Sequence, residues 1–191
     1  PRYLSSAASD VYKRQAMNQQ QLNKYFSEEW TNDFDNYTLT GFELSYKVKP
    51  TDWVLDVGCG HNPFKGAIKN LVGIDPANKR ADIQTTIEDF EHEELFDVAF
   101  CLGSINFGSK DKIRGQIEKL LTHMKPQCQI HWRCNPGRRD HGKPSTNKVP
   151  FFEWSKEVME EFANDYGFKI TEQGAEIPEP NKYRLYFEWT R

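Results

Sequence analysis

Apolar runs alternate with amphipathic segments along most of the chain, and this alternation predicts an α/β protein. Residues 96–102 (Phe-Asp-Val-Ala-Phe-Cys-Leu) are almost continuously apolar, which is typical of a strand buried on both faces of a parallel sheet. Residues 110–124 instead place their apolar side chains on one helical stripe, and Pro126 follows the end of that helix. The same patterns predict further helices at 22–30 and 153–166, and further strands at 52–57, 71–75, 81–87, 127–134, 168–177 and 183–189.

The order of these elements predicts the architecture. Parallel strands joined by right-handed helical crossovers give a doubly wound sheet with helices on both faces. The last two strands are joined through Pro178 and Pro180, and we expect them to run antiparallel to each other. The chain is therefore predicted to form a doubly wound, mostly parallel, seven-stranded sheet in a three-layer α/β fold, with a C-terminal antiparallel hairpin. Its length of 191 residues fits one domain, which we place at residues 17–191.

Two segments before the first strand differ from this pattern. Residues 1–16 lack the apolar stretch of a signal peptide and resemble translated adapter sequence, so we expect a non-native leader ahead of Met17 or a disordered tail. Residues 17–50 combine a short helix with a turn-rich stretch that contains many aromatic residues. These aromatics either cover the sheet or form a lid over a pocket: Phe34, Tyr37, Phe42 and Tyr46.

Composition and charge argue against several functional classes. The net charge of −3 argues against a protein that mainly binds nucleic-acid backbones. No apolar run approaches the roughly 20 residues of a membrane-spanning helix, so we expect no membrane span. Because no secretion signal accompanies the four cysteines, we expect reduced thiols and a cytoplasmic protein.

Cys128, His131, Cys134 and His141 have the residue types of a zinc site, but their spacing does not suit one. In a strand over residues 127–134, the two cysteines lie about 20 Å apart and His131 points to the opposite face. Bonds to zinc are about 2.0–2.3 Å long, so a single ion cannot bind these side chains together. We therefore predict no metal site.

A pair of glycines directly after the first strand predicts a nucleotide-binding turn. Gly58 and Gly60 lack a β-carbon, so their backbone can adopt positive φ and approach a ligand closely. Asp56, two residues earlier, would repel the pyrophosphate of a dinucleotide, and Pro63 stands where a dinucleotide fingerprint needs its third glycine. A carboxylate instead suits a ligand that has an ammonium and a sulfonium group. These features favour S-adenosylmethionine over NAD.

The run Leu55-Asp56-Val57-Gly58-Cys59-Gly60, with Leu71-Val72-Gly73-Ile74-Asp75 after it, resembles the first two motifs of the class I S-adenosylmethionine-dependent methyltransferases, a Rossmann-like superfamily. Many of those enzymes have a third glycine at the position of Asn62, which this chain lacks. The resemblance implies that the cofactor lies at the carboxyl ends of the strands.

Several residues are candidates for contact with this cofactor. Asp75 ends the second predicted strand, where a carboxylate can accept hydrogen bonds from both ribose hydroxyls. For adenine, the resemblance implies the Ile87 amide together with Glu88 or Asp89, although a solvated acidic loop is the alternative for this segment. The expected cofactor-binding residues are Asp56, Gly58, Cys59, Gly60, Asp75, Pro76, Ile87, Glu88, Leu102 and Gly103.

The methyl acceptor is expected at the end of strand 96–102 and beyond it. The candidate catalytic residues are Ser104, Asn106 and His131. His131 is either a base with a pKa near neutrality or a packed histidine of the sheet. The candidate acceptor-binding residues, which either bind an anion or belong to a solvated basic loop, are Arg133, Arg138, Arg139 and His141.

These observations predict methyl transfer from S-adenosylmethionine by in-line displacement, with S-adenosylhomocysteine as the product. Only residues 17–50 and 135–152 are free to build a lid, so we expect a small-molecule acceptor first and a protein or RNA end group second. Two alternatives stay open. One is a non-catalytic protein that binds the cofactor or a partner, and the other is an NAD(P)-dependent oxidoreductase.

Overall fold

A computed structural model describes residues 18–31, 33–136, 149, 151–179 and 182–191 of the protein. The expected leader at residues 1–16 lies outside the described residues. The same holds for three candidate acceptor-binding residues, Arg138, Arg139 and His141. The roles of these residues stay predictions.

The described residues form three α-helices and six β-strands. The helices are α1 (Gln19–Glu28), α2 (Lys110–Thr122) and α3 (Lys156–Asp165), and each begins after a polar residue whose side chain accepts a hydrogen bond from the first turn. The strands are β1 (Trp53–Val57), β2 (Asn70–Ile74), β3 (Phe96–Leu102), β4 (Met124–Cys134), β5 (Lys169–Glu179) and β6 (Lys182–Thr190). Two short 3-10 helices, Phe34–Asn36 and Phe42–Lys47, lie between α1 and β1.

The strands form one sheet in the order β2-β1-β3-β4-β6-β5. β1 to β4 run parallel to one another, whereas β6 is antiparallel to both β4 and β5. The predicted parallel sheet and its C-terminal antiparallel hairpin are thus confirmed. Because β2 and β3 lie on opposite sides of β1, the strand order reverses at β1, and ligands of doubly wound sheets bind outside the carboxyl ends at such a point.

The predicted strand at residues 81–87 was wrong, so the sheet has six strands among the described residues instead of seven. A single parallel bridge joins Ile83 to Ile74. The Asp82 carboxylate accepts a hydrogen bond from the Gly73 amide at 2.8 Å and pairs with Lys65 Nζ at 2.6 Å. The Gly73 amide at the edge of β2 is therefore bonded to a side chain and not to the backbone of residues 81–87. Pairing between this segment and β2 ends after one bridge.

Turns, not helices, connect β1 to β2 and β2 to β3, so the expected helical crossovers were wrong at these two places. In the first connection Gly60, Asn62 and Gly66 have φ angles of 55°, 55° and 89°. Left-handed residues at this spacing interrupt a right-handed helix. Phe64 and Ile68 of this connection are still buried, because their side chains cover the sheet directly.

The sheet is covered on both faces. On one face, α2 and α3 bury Ile117 and Phe162 in a cluster with Leu55 of β1. On the other face, Leu44 of the segment before β1 is buried in a cluster with Val54. None of the helices in the described part of the chain combines the length and apolar character needed to cross a lipid bilayer.

The four aromatic residues before β1 differ in their surroundings. Phe34 covers the sheet, with its ring centroid 5.0 Å from that of Phe64. Tyr37 instead lines the cavity described below. Phe42 and Tyr46 are 46% and 78% exposed and contact each other. A lid formed by the whole of residues 17–50 stays a prediction.

Candidate functional site

A cavity of about 290 Å³ opens where β1, β2, β3 and β4 end. It therefore lies at the point where the strand order reverses. The predicted cofactor residues that line it are Gly58, Gly60, Asp75, Pro76, Ile87, Glu88, Leu102 and Gly103. Aromatic side chains of α1 and of the residues after it, including Tyr25, Phe26 and Trp30, form another wall.

The turn after β1 needs glycine at two positions. Gly58 and Gly60 have φ angles of 66° and 55°, in the left-handed region that favours glycine. A β-carbon on Gly58 would lie 2.3 Å from Cβ of Ser104, and one on Gly60 would lie 3.1 Å from the Trp30 ring. Without these β-carbons, the turn packs against the end of β3 and beneath Trp30, and its backbone lines the cavity.

Asp75 binds the turns around it and also lines the cavity. Its Oδ2 accepts a hydrogen bond from the Gly60 amide at 3.0 Å, and its Oδ1 accepts one from each of the Ala77 and Asn78 amides at 2.8 Å. A carboxylate has about four acceptor positions, so Oδ2 retains one for a ligand. The structure thus leaves room for fewer ribose contacts to Asp75 than the sequence suggested.

Asp56 and Cys59 lie outside the main cavity, on an adjoining cavity of about 50 Å³ that Trp30 and Arg133 also line. Burial raises the pKa of the Asp56 carboxyl to about 7, the charge of Asp75 adds to the rise, and Arg133 opposes it. The Cys59 amide donates to the carbonyl of Ile74 at 3.0 Å, and burial raises the pKa of its thiol. Cys59 therefore has a structural role at this turn.

The two predicted adenine contacts lie beside α2. The Ile87 side chain is buried in the core, while no hydrogen bond joins its amide to another described residue. Oε1 of Glu88 accepts a hydrogen bond from Nε2 of Gln116 at 2.7 Å. This bond fixes the Glu88 carboxylate at the rim of the cavity, where its second oxygen stays available.

Ser104 and Asn106 line the cavity at the end of β3. Oγ of Ser104 is buried and has no hydrogen-bond partner among the described residues. Asn106 is engaged instead: its Oδ1 accepts from the Asn135 amide at 3.3 Å and its carbonyl accepts from the Phe152 amide at 2.9 Å. Ser104 is therefore the better candidate for contact with an acceptor.

His131 is a correction to the predicted set of catalytic residues, because it does not line the cavity. It is fully buried, pairs with Phe100 in the middle of β3, and lies with Nδ1 3.7 Å from Glu188 Oε2. Burial lowers its pKa to about 4. A neutral histidine inside the sheet is a packed residue and not a base for an acceptor in this cavity.

Arg133 is the next-to-last residue of β4, pairs with Leu102 of β3 and lines both cavities. Its guanidinium lies over the Tyr37 ring, 4.0 Å from the centroid, and its Nη2 donates to the carbonyl of Leu102 at 2.9 Å. Nη1 is buried and has no hydrogen-bond partner among the described residues. Burial lowers the pKa of this group.

Sequence reasoning missed two sets of residues that line the cavity. Phe107 and Phe151 lie against each other with ring centroids 5.2 Å apart, and Phe107 contacts Phe26 of α1. Lys182 and Arg184 reach the cavity from β6. Lys182 and Arg184 are two residues apart and share a face of β6, but no pattern in the sequence placed that strand next to β4.

Among the described residues, no three His, Cys, Asp or Glu side chains come together in a group that could hold a metal ion.

No family model matches the sequence, and no curated protein matches it. Solved methyltransferase structures do match its fold. One is the 1,6-didemethyltoxoflavin-N1-methyltransferase of Burkholderia thailandensis with bound 1,6-didemethyltoxoflavin and S-adenosylhomocysteine, with a TM-score of 0.68 and 11% identity over 100% of this chain and 92% of that one.

Two further structures match with S-adenosylhomocysteine bound. The N-methyltransferase NodS of Bradyrhizobium japonicum has a TM-score of 0.66 and 18% identity over 90% of this chain and 97% of that one. The magnesium protoporphyrin IX methyltransferase of Synechocystis has a TM-score of 0.63 and 15% identity over 99% of this chain and 96% of that one. The chain therefore has the fold of the class I S-adenosylmethionine-dependent methyltransferases.

Proposed function

We propose that the protein is a class I methyltransferase that moves a methyl group from S-adenosylmethionine to a small-molecule acceptor. The observation that supports this most is the turn Gly58-Cys59-Gly60. Its two left-handed glycines expose backbone to a cavity at the point where strand order reverses, and Asp75 lies beside it. This combination fits a nucleoside whose ribose is bound by a carboxylate and whose tail lies along the backbone.

The residues present fit the cofactor at each of its parts. Oδ2 of Asp75 would accept a ribose hydroxyl, and the Ile87 amide with Glu88, which also line the cavity, would bind adenine. The buried Asp56 supplies a carboxylate beneath the Gly58 turn, where it favours a positively charged tail. When bound, the cofactor supplies an electrophilic methyl group on a sulfonium.

The protein's part in the reaction is to hold the acceptor in line with that methyl group and to exclude water. Ser104 Oγ lies just past the end of β3 and has no hydrogen-bond partner among the described residues, so it would donate to or accept from the acceptor. The aromatic wall formed by Phe26, Trp30 and Phe107 shields this region from solvent. We assign no histidine base, because His131 lies elsewhere.

A small-molecule acceptor is supported by the shape of the site. The cavity, of about 290 Å³, is lined on one side by the strand ends and on another by helix α1, a concave shape that suits a small molecule. The bound 1,6-didemethyltoxoflavin of the Burkholderia structure shows that a matching fold holds a small heterocycle. The four cysteines are free and buried, which supports the cytoplasm as the place of action.

Isothermal titration calorimetry with S-adenosylmethionine, S-adenosylhomocysteine and NAD tests this proposal. We expect micromolar binding of the first two ligands and none of NAD. Asp75→Asn keeps the size of the side chain and weakens its acceptor capacity, so S-adenosylhomocysteine should bind at least tenfold more weakly. Asp111→Ala, at an exposed position in the first turn of α2, is the control and should bind like the wild type. Preferential binding of NAD would instead support the oxidoreductase.

A further inference from the structure

The charged side chains that the sheet and its connections bring to the cavity differ in sign from one side to the other, although Asp33, outside the sheet, pairs with Lys182. Asp75 and Glu88 lie at the end of β2 and in the connection that follows it, whereas Arg133, Lys182 and Arg184 come from β4 and β6. In the sheet, β4 is two strands from β1 and β6 is three strands away. At about 4.8 Å per strand, these cations begin roughly 10–14 Å from the strand that precedes the glycine turn. Lys182 and Arg184 therefore lie on the side of the acceptor, and the Arg133 guanidinium reaches from that side to the end of β3, where it also lines the cavity beside Gly58.

Arg133 is the cation of this group that has a buried donor without a hydrogen-bond partner among the described residues. Tyr37 covers one side of its guanidinium and the Leu102 carbonyl accepts from Nη2, but Nη1 is buried without a partner among the described residues. No carboxylate in the described part of the chain lies within ion-pair distance of Arg133. A buried cation with an unused donor is unfavourable unless an anion completes it.

Two carboxylates near this region are already engaged, and a third, Asp56, lines the adjoining cavity with Arg133 but lies outside ion-pair distance of it. Asp33 accepts from the Tyr37 hydroxyl at 3.4 Å and lies 3.6 Å from Lys182 Nζ. Glu176, which is buried, accepts hydrogen bonds from the amides of Leu39 and Thr40. Neither is free to turn toward the guanidinium without breaking these bonds. None of these carboxylates therefore supplies the missing partner of Arg133 within the part of the chain that the structure describes.

We propose that the methyl acceptor has a carboxylate or phosphate group, bound by Arg133, on an aromatic or apolar body that lies against Tyr37, Phe107 and Phe151. This inference rests on the proposed function, because it assigns the acceptor half of the same cavity. The planar guanidinium offers parallel donors that match the two oxygens of such an anion. Arg184 adds positive charge along the same wall and attracts the anion into it, whereas the charge of Lys182 is offset by Asp33.

Binding of simple probes to the complex with S-adenosylhomocysteine tests the proposal. The probes are benzoate, phenyl phosphate, benzyl alcohol and benzylamine, which share a phenyl ring and differ in charge. With the wild type we expect at least one of the two anions to bind at least tenfold more tightly than benzyl alcohol, measured by calorimetry or ligand-observed NMR. Comparison of benzoate with phenyl phosphate decides which anion the site prefers.

Three variants connect the preference to Arg133. Arg133→Gln should remove the preference for anions while S-adenosylhomocysteine binds within twofold of wild type. Arg133→Lys keeps the charge without the planar donors and should retain part of the preference for anions. This variant keeps the proposal testable if Arg133→Gln does not fold. Arg80→Gln, at an exposed position that does not line the cavity, should behave like the wild type.

Two results would overturn the proposal. One is the absence of any preference for the anions in a wild-type protein that binds S-adenosylhomocysteine. The other is an Arg133→Gln variant that loses S-adenosylhomocysteine and keeps benzoate, because Arg133 would then bind the carboxylate of the cofactor. If the wild type does not bind S-adenosylhomocysteine at all, the proposed function itself fails, and this is seen before any probe is added.

Discussion

Gly58 and Ser104 approach so closely that a β-carbon on the glycine would lie 2.3 Å from Cβ of the serine. This contact joins the end of β1 to the end of β3, the two strands whose carboxyl ends form the centre of the cavity. The φ of 66° at Gly58 disfavours any other residue independently of the contact. The shape of the candidate cofactor site thus depends on one glycine for two separate reasons.

Gly58→Ala is expected to destabilise the fold and to weaken binding of S-adenosylhomocysteine. The left-handed φ costs about 1–2 kcal/mol for a residue with a β-carbon, and the overlap with Ser104 adds about 1–3 kcal/mol. Urea unfolding measures the loss of stability, and calorimetry measures the loss of affinity.

Two further variants separate these contributions. Gly66 has a φ of 89° and nothing within 4 Å of its missing β-carbon, so Gly66→Ala reports the cost of φ alone. Adding Ser104→Gly to Gly58→Ala removes the overlap and should recover part of the stability. If Gly58→Ala loses no more stability than Gly66→Ala, the close contact is not what selects glycine here.

Asp56→Asn is expected to flatten the dependence of stability on pH. Burial first, and the charge of Asp75 second, raise the pKa of Asp56 from 3.8 to about 7 in the fold. A raised acid pKa means that the protonated form favours folding, so this stability is present below about pH 4 and is lost as the pH rises through 7. Above pH 7 the variant should therefore melt at a higher temperature than the wild type.

The same substitution should also change the binding of S-adenosylhomocysteine, whose ammonium group suits an ionised Asp56. Wild-type affinity is expected to rise between pH 6 and pH 8 as the carboxyl ionises, and the affinity of Asp56→Asn is expected to stay constant. Calorimetry at several pH values measures both proteins. Parallel profiles would show that Asp56 is not the group that binds the tail.

Trp30→Ala is expected to weaken S-adenosylhomocysteine binding about tenfold, because the ring covers Gly60 and lines both cavities. Tyr46→Ala is the matched control, since Tyr46 is 78% exposed and does not line the cavity. The control should bind like the wild type. Equal affinity of the two variants would remove the role of Trp30 as part of the cofactor wall.

His131→Leu is expected to make the fold less sensitive to acid. Burial lowers the pKa of His131 from 6.5 to about 4, so the neutral ring favours folding. This contribution is present above pH 6.5 and is lost as the pH falls through 4. Urea unfolding at pH 7 and pH 4.5 should show a smaller loss for the variant than for the wild type, and equal losses would contradict the assignment.

His131 also shows why the candidate site was predictable only in part. It shares a face of β4 with Arg133, and the alternation of the strand gave that face correctly. The two residues are about 6.6 Å apart along the strand, so only Arg133 reaches the end of the sheet. The position of these residues in the sheet depends on the register between β4 and β3, in which His131 pairs with Phe100 and Arg133 pairs with Leu102. The sequence of β4 alone does not determine this register.

The glycine turn was predictable because its signal is local. An apolar strand, a glycine pair and a carboxylate at the end of the next strand are readable within 20 residues, and the structure brings Gly58, Gly60 and Asp75 to one cavity. The prediction of a strand at residues 81–87 was wrong because its outcome depends on a contact with another strand. Its pattern of apolar residues fits a strand, but Asp82 binds the backbone of β2 through its side chain and ends the pairing.

A crystal structure of the complex with S-adenosylhomocysteine would show whether this cavity is the cofactor site. It should show a ribose hydroxyl within hydrogen-bond distance of Asp75 Oδ2, adenine beside Ile87 and Glu88, and the amino-acid tail along Gly58. Density for the ligand outside this cavity, or a ligand whose ribose makes no contact with Asp75, would contradict the account.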